Sequence, residues 1–183
     1  VLDYMTNLQL PRIGGESCIV LGVDSFTKWV VGGPLSVLST QTIIYWFHRD
    51  VTCTFGVPAA VRTNRGVGFR GLFESYCASM GIRIYCISTG WPRGQGQVER
   101  YNGLFKTMVR KCIMRYGGAW SKWLPDILWA MKELVSISHG MSAYHLVFKS
   151  EPIWPEYLLR CAAPTEEVVE PGSDEEMAML EEL

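Results

Sequence analysis

Polar side chains whose spacing could do chemistry concentrate on one predicted helix. Between about Gln97 and Tyr116, Glu99, Asn102, Lys106 and Arg110 recur at steps of three and four, which aligns them along one helical face. The amide and the two cations on that face suit contacts to a phosphate backbone. Arg65, Arg70, Arg93 and Arg100 can add phosphate contacts from adjacent loops, and Gln95 and Gln97 can reach bases or sugars. The competing reading is a solvated basic helix face. Two isolated carboxylates are weaker candidates. Asp3 alone reads as a solvated turn residue, and Asp24 interrupts two apolar runs where a hairpin turn is expected.

The six cysteines stand singly in apolar surroundings, none forms a CxxC pair, and the three histidines lie far from them. The pattern predicts buried free thiols rather than a disulfide framework or a zinc site, and with them an intracellular protein, nuclear or cytoplasmic. No apolar run approaches the ~18 residues of a membrane span. At 183 residues and 48% hydrophobic, the chain fits one well-packed domain. Its net charge of −1 conceals an asymmetry. All 17 lysines and arginines precede residue 165, whereas the segment from Thr165 to the end carries eight acids and no base. A mildly basic body with an acidic tail fits a nucleic-acid ligand.

The elements that must position these residues follow from hydrophobic periodicity. Residues 16–35 hold two short β-branched runs broken by Asp24-Ser25, an antiparallel hairpin, and VLDYM reads as the end of another strand. From Ser39 the apolar residues Ile43, Ile44, Phe47, Val51 and Phe55 take helical steps, capped by Ser39 or Thr40 and stopped by Gly56 and Pro58. A strand through 60–62, a glycine-rich loop, a helix over 73–80 and a strand over 83–87 follow. STGWPRGQGQ reads as loop, helix resumes near Gln97, and a last helix over 120–135 shows a stripe from Trp120 to Val135. Interleaved strands and helices make a sheet flanked by helices, over residues 1–160, with 161–183 as an acidic tail of disordered composition.

Four blocks along this framework resemble one family. LGVDSFTKW resembles the second strand and turn of retroviral and gypsy-type retrotransposon integrase catalytic cores. FGVPAAVRTNRGVGF resembles their segment bearing the second catalytic aspartate, and GWPRGQGQVERYNGLFK the loop and helix bearing the catalytic glutamate. MSAYHLVFKSEP resembles the end of that core. The resemblance implies an α/β, RNase H-like fold with a mixed sheet of about five strands, antiparallel hairpin first. Such cores hold two magnesium or manganese ions on three carboxylates for in-line attack on a phosphodiester. Carried onto this chain, the triad falls on Asp3, Asn64 and Glu99, so only Asp3 and Glu99 offer the metal a charged ligand. Arg65 follows where the family has asparagine, placing a cation beside the metal position. The interval from Asn64 to Glu99 is also one residue shorter than in the family.

The resemblance further implies that Asn102 and Lys106 approach DNA ends, although Gly103 stands where a basic contact is usual. It implies a homodimer through the helix beginning near Thr40 and the helix after Trp120, where Trp46 and Trp129 lie off the apolar rows and are expected at the interface. The reading is a host-domesticated integrase-like domain of the kind one host gene fuses to an NYN-type nuclease domain. It is expected to have lost catalysis and its tightly bound metal, and to retain DNA or RNA binding and dimerisation. One alternative is an active metal-dependent nuclease using Asp3 and Glu99. Another is a pure protein-interaction module.

Overall fold

Cys18–Val23 reads CIVLGV and forms strand β2, with all six residues buried. A strand apolar at every position, without alternation, has to be covered on both faces. In the computed structural model, which describes residues 1–6, 18–64, 66–86, 92–136 and 138–153 (the side chains of 3–6 and 92–98 excepted), β2 is the second strand of a five-stranded sheet. The sheet order is β3-β2-β1-β4-β5. Strands β1 (Leu2–Thr6) and β3 (Val30–Leu35) pair antiparallel with β2. Strands β4 (Ala60–Thr63) and β5 (Arg83–Cys86) extend it in parallel from β1. The mixed sheet with a leading hairpin is the one expected.

Alternate residues of β2 enter two separate cores. Ile19, Leu21 and Val23 pack with Phe105 and Val109 of helix α4 (Pro92–Tyr116) and with Leu124, Ile127, Leu128 and Met131 of α5 (Leu124–Glu133). Cys18 and Val20 face the other way, onto Ile43 and Trp46 of α1 (Thr40–Trp46) and Phe73 and Cys77 of α3 (Leu72–Ser79). Each large aliphatic or aromatic side chain so buried contributes about 1.5–3 kcal/mol relative to exposure. The two layers therefore hold the sheet from both sides.

Several expectations are corrected. Trp46 is 2% exposed, in the core, because it stands three residues after Ile43 on the same buried stripe. It cannot serve an interface. Phe55 is instead exposed. The cause is a π-helical segment, Phe47–Thr52, between α1 and the short α2 (Cys53–Phe55). A π turn holds more residues than an α turn, so the buried positions run Phe47 to Thr52, a step of five, and the later positions rotate outward. Helix α4 begins at Pro92, five residues before the predicted start. Proline suits a first turn, whose N–H groups have no intrahelical acceptor. The last predicted helix opens as a 3₁₀ turn (Trp120–Trp123) and stops at Glu133. A small ladder of β6 (Val135–Ser136) and β7 (Met141–Ser142), then α6 (Ala143–Phe148), was not anticipated. Among the described cysteines, Cys18 and Cys77 are buried as expected, burial pushing the Cys77 thiol up to about 11. Cys53 and Cys86 are exposed, because the rotated helix end and the edge strand leave them uncovered. Val1–Glu151 forms one compact unit.

Asp24 has the structural role its place between two strands predicts. Its Oδ2 accepts from the amides of Phe26 (3.2 Å) and Thr27 (2.7 Å) and from the Thr27 hydroxyl (2.8 Å), which closes the β2–β3 turn. Partial burial acts to raise its pKa, but these donors outweigh burial and hold the carboxyl below its ordinary value. A depressed folded pKa stabilises above the unfolded value, near 4, and the benefit is lost as pH falls through the folded value. Asp24→Ala should therefore lower the melting temperature at pH 7, and the difference from the parent should shrink steadily below about pH 4.

The adjacent glycines of β3 are required by packing. A Cβ on Gly33 would lie 2.6 Å from the Trp46 indole nitrogen and nearer still to Cδ1, and one on Gly32 would lie 2.6 Å from Leu21 Cδ2 and 3.2 Å from Leu128. Gly33→Ala should destabilise the domain by about 1–3 kcal/mol in urea melts, the usual cost of overpacking, whereas Gly103→Ala, which meets nothing within 4 Å, should not.

Candidate nucleic-acid interface

Helix α4 divides its residues between core and solvent. Phe105 and Val109 are fully buried, and Asn102, one turn before Phe105, is 9% exposed on the same row. Asn102 is therefore removed from the predicted binding face: a step of three places it toward Phe105 and the sheet, not beside Lys106. Glu99, Lys106 and Arg110 are exposed as predicted, and so is Arg100. The structure adds Lys111 and Arg115, which continue the exposed surface. Their signal was present in the sequence, since Arg100 and Lys111 are 11 residues apart, close to three helical turns. The result is two neighbouring exposed rows, Glu99–Gly103–Lys106–Arg110 and Arg100–Thr107–Lys111–Arg115. Arg93, Gln95 and Gln97 lie on the first turns of α4, but their side chains are outside the described residues, as is Arg65. Arg70 is exposed after the 3₁₀ turn Val67–Phe69.

The three triad positions divide similarly. Leu2 pairs with Thr63 across the parallel strands β1 and β4; Asp3 is the next residue of β1, and Asn64 is the first residue after β4. Asp3 also pairs with Leu21 of β2, whose side chain belongs to the core beneath α4 and α5. Helix α4, which bears Glu99, packs over β1 and β2. The Asp3 side chain is outside the described residues, and with it the convergence of the three groups. Asn64 is half-buried, and its Oδ1 accepts from the Gly66 amide at 2.9 Å, closing a turn. The residues that the resemblance assigns to the metal comprise two carboxylates and one amide whose oxygen already accepts from the backbone. Hard dications favour charged oxygen ligands, and this complement fits two of them less well than three carboxylates would. Among the described residues no group of three histidines, cysteines or acids is placed to hold a metal.

A cavity of about 350 Å³ lies elsewhere, lined by Leu2, Val23, Trp29, Phe47, Phe55 and Val61 among others. Among the described residues its one carboxylate, Asp24, is committed to the hairpin turn. Trp129 is half-buried on α5. No described helix is long and apolar enough to cross a membrane.

No family model matches the sequence. Curated relatives include the Gag-Pol polyprotein of avian reticuloendotheliosis virus, 25% identical over 142 residues that cover 76% of this chain and 12% of the relative. The Pol polyprotein of radiation murine leukemia virus is 25% identical over 146 residues, 78% of this chain and 25% of that one. The Pro-Pol polyprotein of simian foamy virus type 3 is 22% identical over all 183 residues, 15% of its length. The chain thus spans a quarter or less of these relatives. Among solved structures, the simian T-cell lymphotropic virus intasome matches with a TM-score of 0.64 at 21% identity, covering 85% of this chain and 54% of that one. The magnesium complex of the HTLV-2 integrase catalytic core in its trimeric form matches at 0.61 and 19% identity, covering 79% and 90%. The fold is therefore the RNase H-like fold of a retroviral integrase catalytic core.

The donor set makes a prediction about metal. Asn64→Asp should raise Mn²⁺ affinity only weakly in calorimetry, and Asn64→Asp with Arg65→Asn should raise it further, because the second change removes a cation next to the site. Full two-ion affinity in the single mutant would show that Arg65 has no such influence.

Proposed function

We propose that this integrase-core domain binds nucleic acid through the exposed face of α4 and does not cut or join it. The observation that carries the reading is charge: Arg100, Lys106, Arg110, Lys111 and Arg115 are all exposed on that helix, against the single carboxylate Glu99. From Arg100 to Arg115 the helix rises about 22 Å, enough to follow roughly six phosphates of one duplex strand. Such contacts position a backbone and read no bases, so affinity depends on salt far more than on sequence. DNA and RNA duplexes are both candidate ligands.

Loss of catalysis rests on Asn64. An amide in place of the middle carboxylate, with its oxygen held by Gly66, deprives a two-ion site of a third of its negative ligands. Magnesium, present in the HTLV-2 relative, is then not retained tightly here. The captured-element origin, the nuclear or cytoplasmic setting and the division into a core of residues 1–160 with an acidic tail of 161–183 belong to the same reading. Homodimerisation does too. With Trp46 in the core, its support is the half-buried Trp129 of α5, the exposed Tyr45 of α1, and the dimeric and trimeric forms of the HTLV-2 core.

The test joins binding to activity. Lys106→Glu with Arg110→Glu should weaken duplex binding about tenfold or more at 0.1 M salt while melting temperature holds, since both residues are solvent-exposed. The parent should show no end processing or strand transfer with Mg²⁺ or Mn²⁺. Metal-dependent cleavage abolished by Glu99→Gln would establish the nuclease alternative. A double mutant that binds like the parent would favour the protein-interaction module.

A further inference from the structure

The C-terminal end of α4 carries a feature that duplex backbone binding does not use. The helix stops where Gly117 and Gly118 take φ values of +70° and +79°, with the Gly117 amide donating to the Ile113 carbonyl at 2.9 Å. Left-handed glycines reverse the chain within two residues. This reversal brings Trp123 of the following 3₁₀ turn against Tyr116, ring centroids 5.2 Å apart and planes tilted by 36°. Trp123 Nε1 donates to the Gly117 carbonyl at 2.9 Å, which fixes the indole to the turn. Each ring carries a cation on its face: the Arg115 guanidinium lies 5.3 Å from the Tyr116 centroid and the Lys122 ammonium 5.2 Å from that of Trp123. Tyr116 is 59% exposed, and Arg115 and Lys122 are exposed as well.

We propose that Tyr116 and Trp123, flanked by Arg115 and Lys122, form a stacking platform for an unpaired base at the end of the α4 track. Two aromatic rings held by a rigid turn offer a π-face to any base, and their cations, on flexible stems, can leave the rings for the adjoining phosphates. The platform is continuous with the basic rows through Lys111 and Arg115, so a strand tracking along α4 would deliver its frayed or single-stranded end to it. One carboxylate, Asp126 on α5, stands a turn beyond Lys122 and leaves the local balance positive. A duplex keeps its bases stacked inside and cannot use the rings. The ligand class is therefore a duplex with a single-stranded tail, or a single strand, in preference to a blunt duplex.

The inference rests on the α4 reading for the duplex track but is separable from it. Anisotropy titrations of the full chain would compare a blunt duplex, the same duplex with a six-nucleotide tail, and the tail strand alone, each tail carrying 2-aminopurine. Tyr116→Leu should weaken tailed and single-stranded binding roughly five- to tenfold and leave blunt-duplex binding unchanged. Tyr116→Trp should restore it, and 2-aminopurine fluorescence should be quenched by the parent and not by Tyr116→Leu. Lys106→Glu with Arg110→Glu should instead weaken the blunt duplex as well. Equal effects of Tyr116→Leu on all three ligands, no effect on any, or no binding by the parent would overturn the platform. Tail binding that depends on Tyr116 while Lys106→Glu with Arg110→Glu is silent would keep the platform and remove the duplex track.

Discussion

Double-sided burial of β2 is the constraint on which the other elements depend. Its six residues enter two separate apolar clusters, so neither helical layer alone can cover the strand. Helices α4 and α5 must lie on one face and α1 and α3 on the other. Strand β1, which carries one triad position, is locked to β2 by five register pairs. The places of the three assigned triad positions follow from that arrangement: Asp3 on β1, Asn64 directly after β4, and Glu99 on α4, which packs over β1 and β2.

Close approach between layers sets the limits on sequence. Gly32 and Gly33 sit on opposite faces of β3, one under Leu21 and Leu128, the other under Trp46. A large ring in the core thus requires an absent side chain opposite it, and the apparent weakness of two consecutive strand glycines is a fit between layers. The same packing draws Trp46 inward and takes it out of any interface. The π-helical segment then turns Phe55 toward solvent, beside Trp29 (ring centroids 6.2 Å apart).

The proposed binding depends on which face of one helix meets water. Helix α4 commits Phe105 and Val109 to the core and leaves its cations to solvent, so anchoring and charge presentation are properties of the same element. Rigid attachment would serve the proposed phosphate contacts, because cations that need not be reorganised lose less on binding. The triad region shows the opposite. Asn64 has its amide oxygen bound to its own loop, a local structural role, while the residue types needed for two-metal chemistry are incomplete. Packing and catalysis draw on different residues, so the fold does not depend on the residue type at Asn64.

Element order as far as α5, the leading hairpin and the Asp24 turn were legible in the sequence, because each depends on local periodicity or turn chemistry. The exposed face of α4 was legible in part: Glu99, Lys106 and Arg110 follow from helical spacing, but Asn102 did not separate from them. An amide at a step of three reads equally well on either side of a helix, and only the docking of Phe105 and Val109 onto the sheet decides which side is dry. Tertiary structure likewise decided that Phe55 is exposed, since a π turn after Trp46 shifts the helical count without any residue that announces it. It also decided that Tyr116 and Trp123, seven positions apart and on different elements, meet across two left-handed glycines. Sequence specifies what each short segment prefers. Which faces become surface is settled only when the layers close on one another.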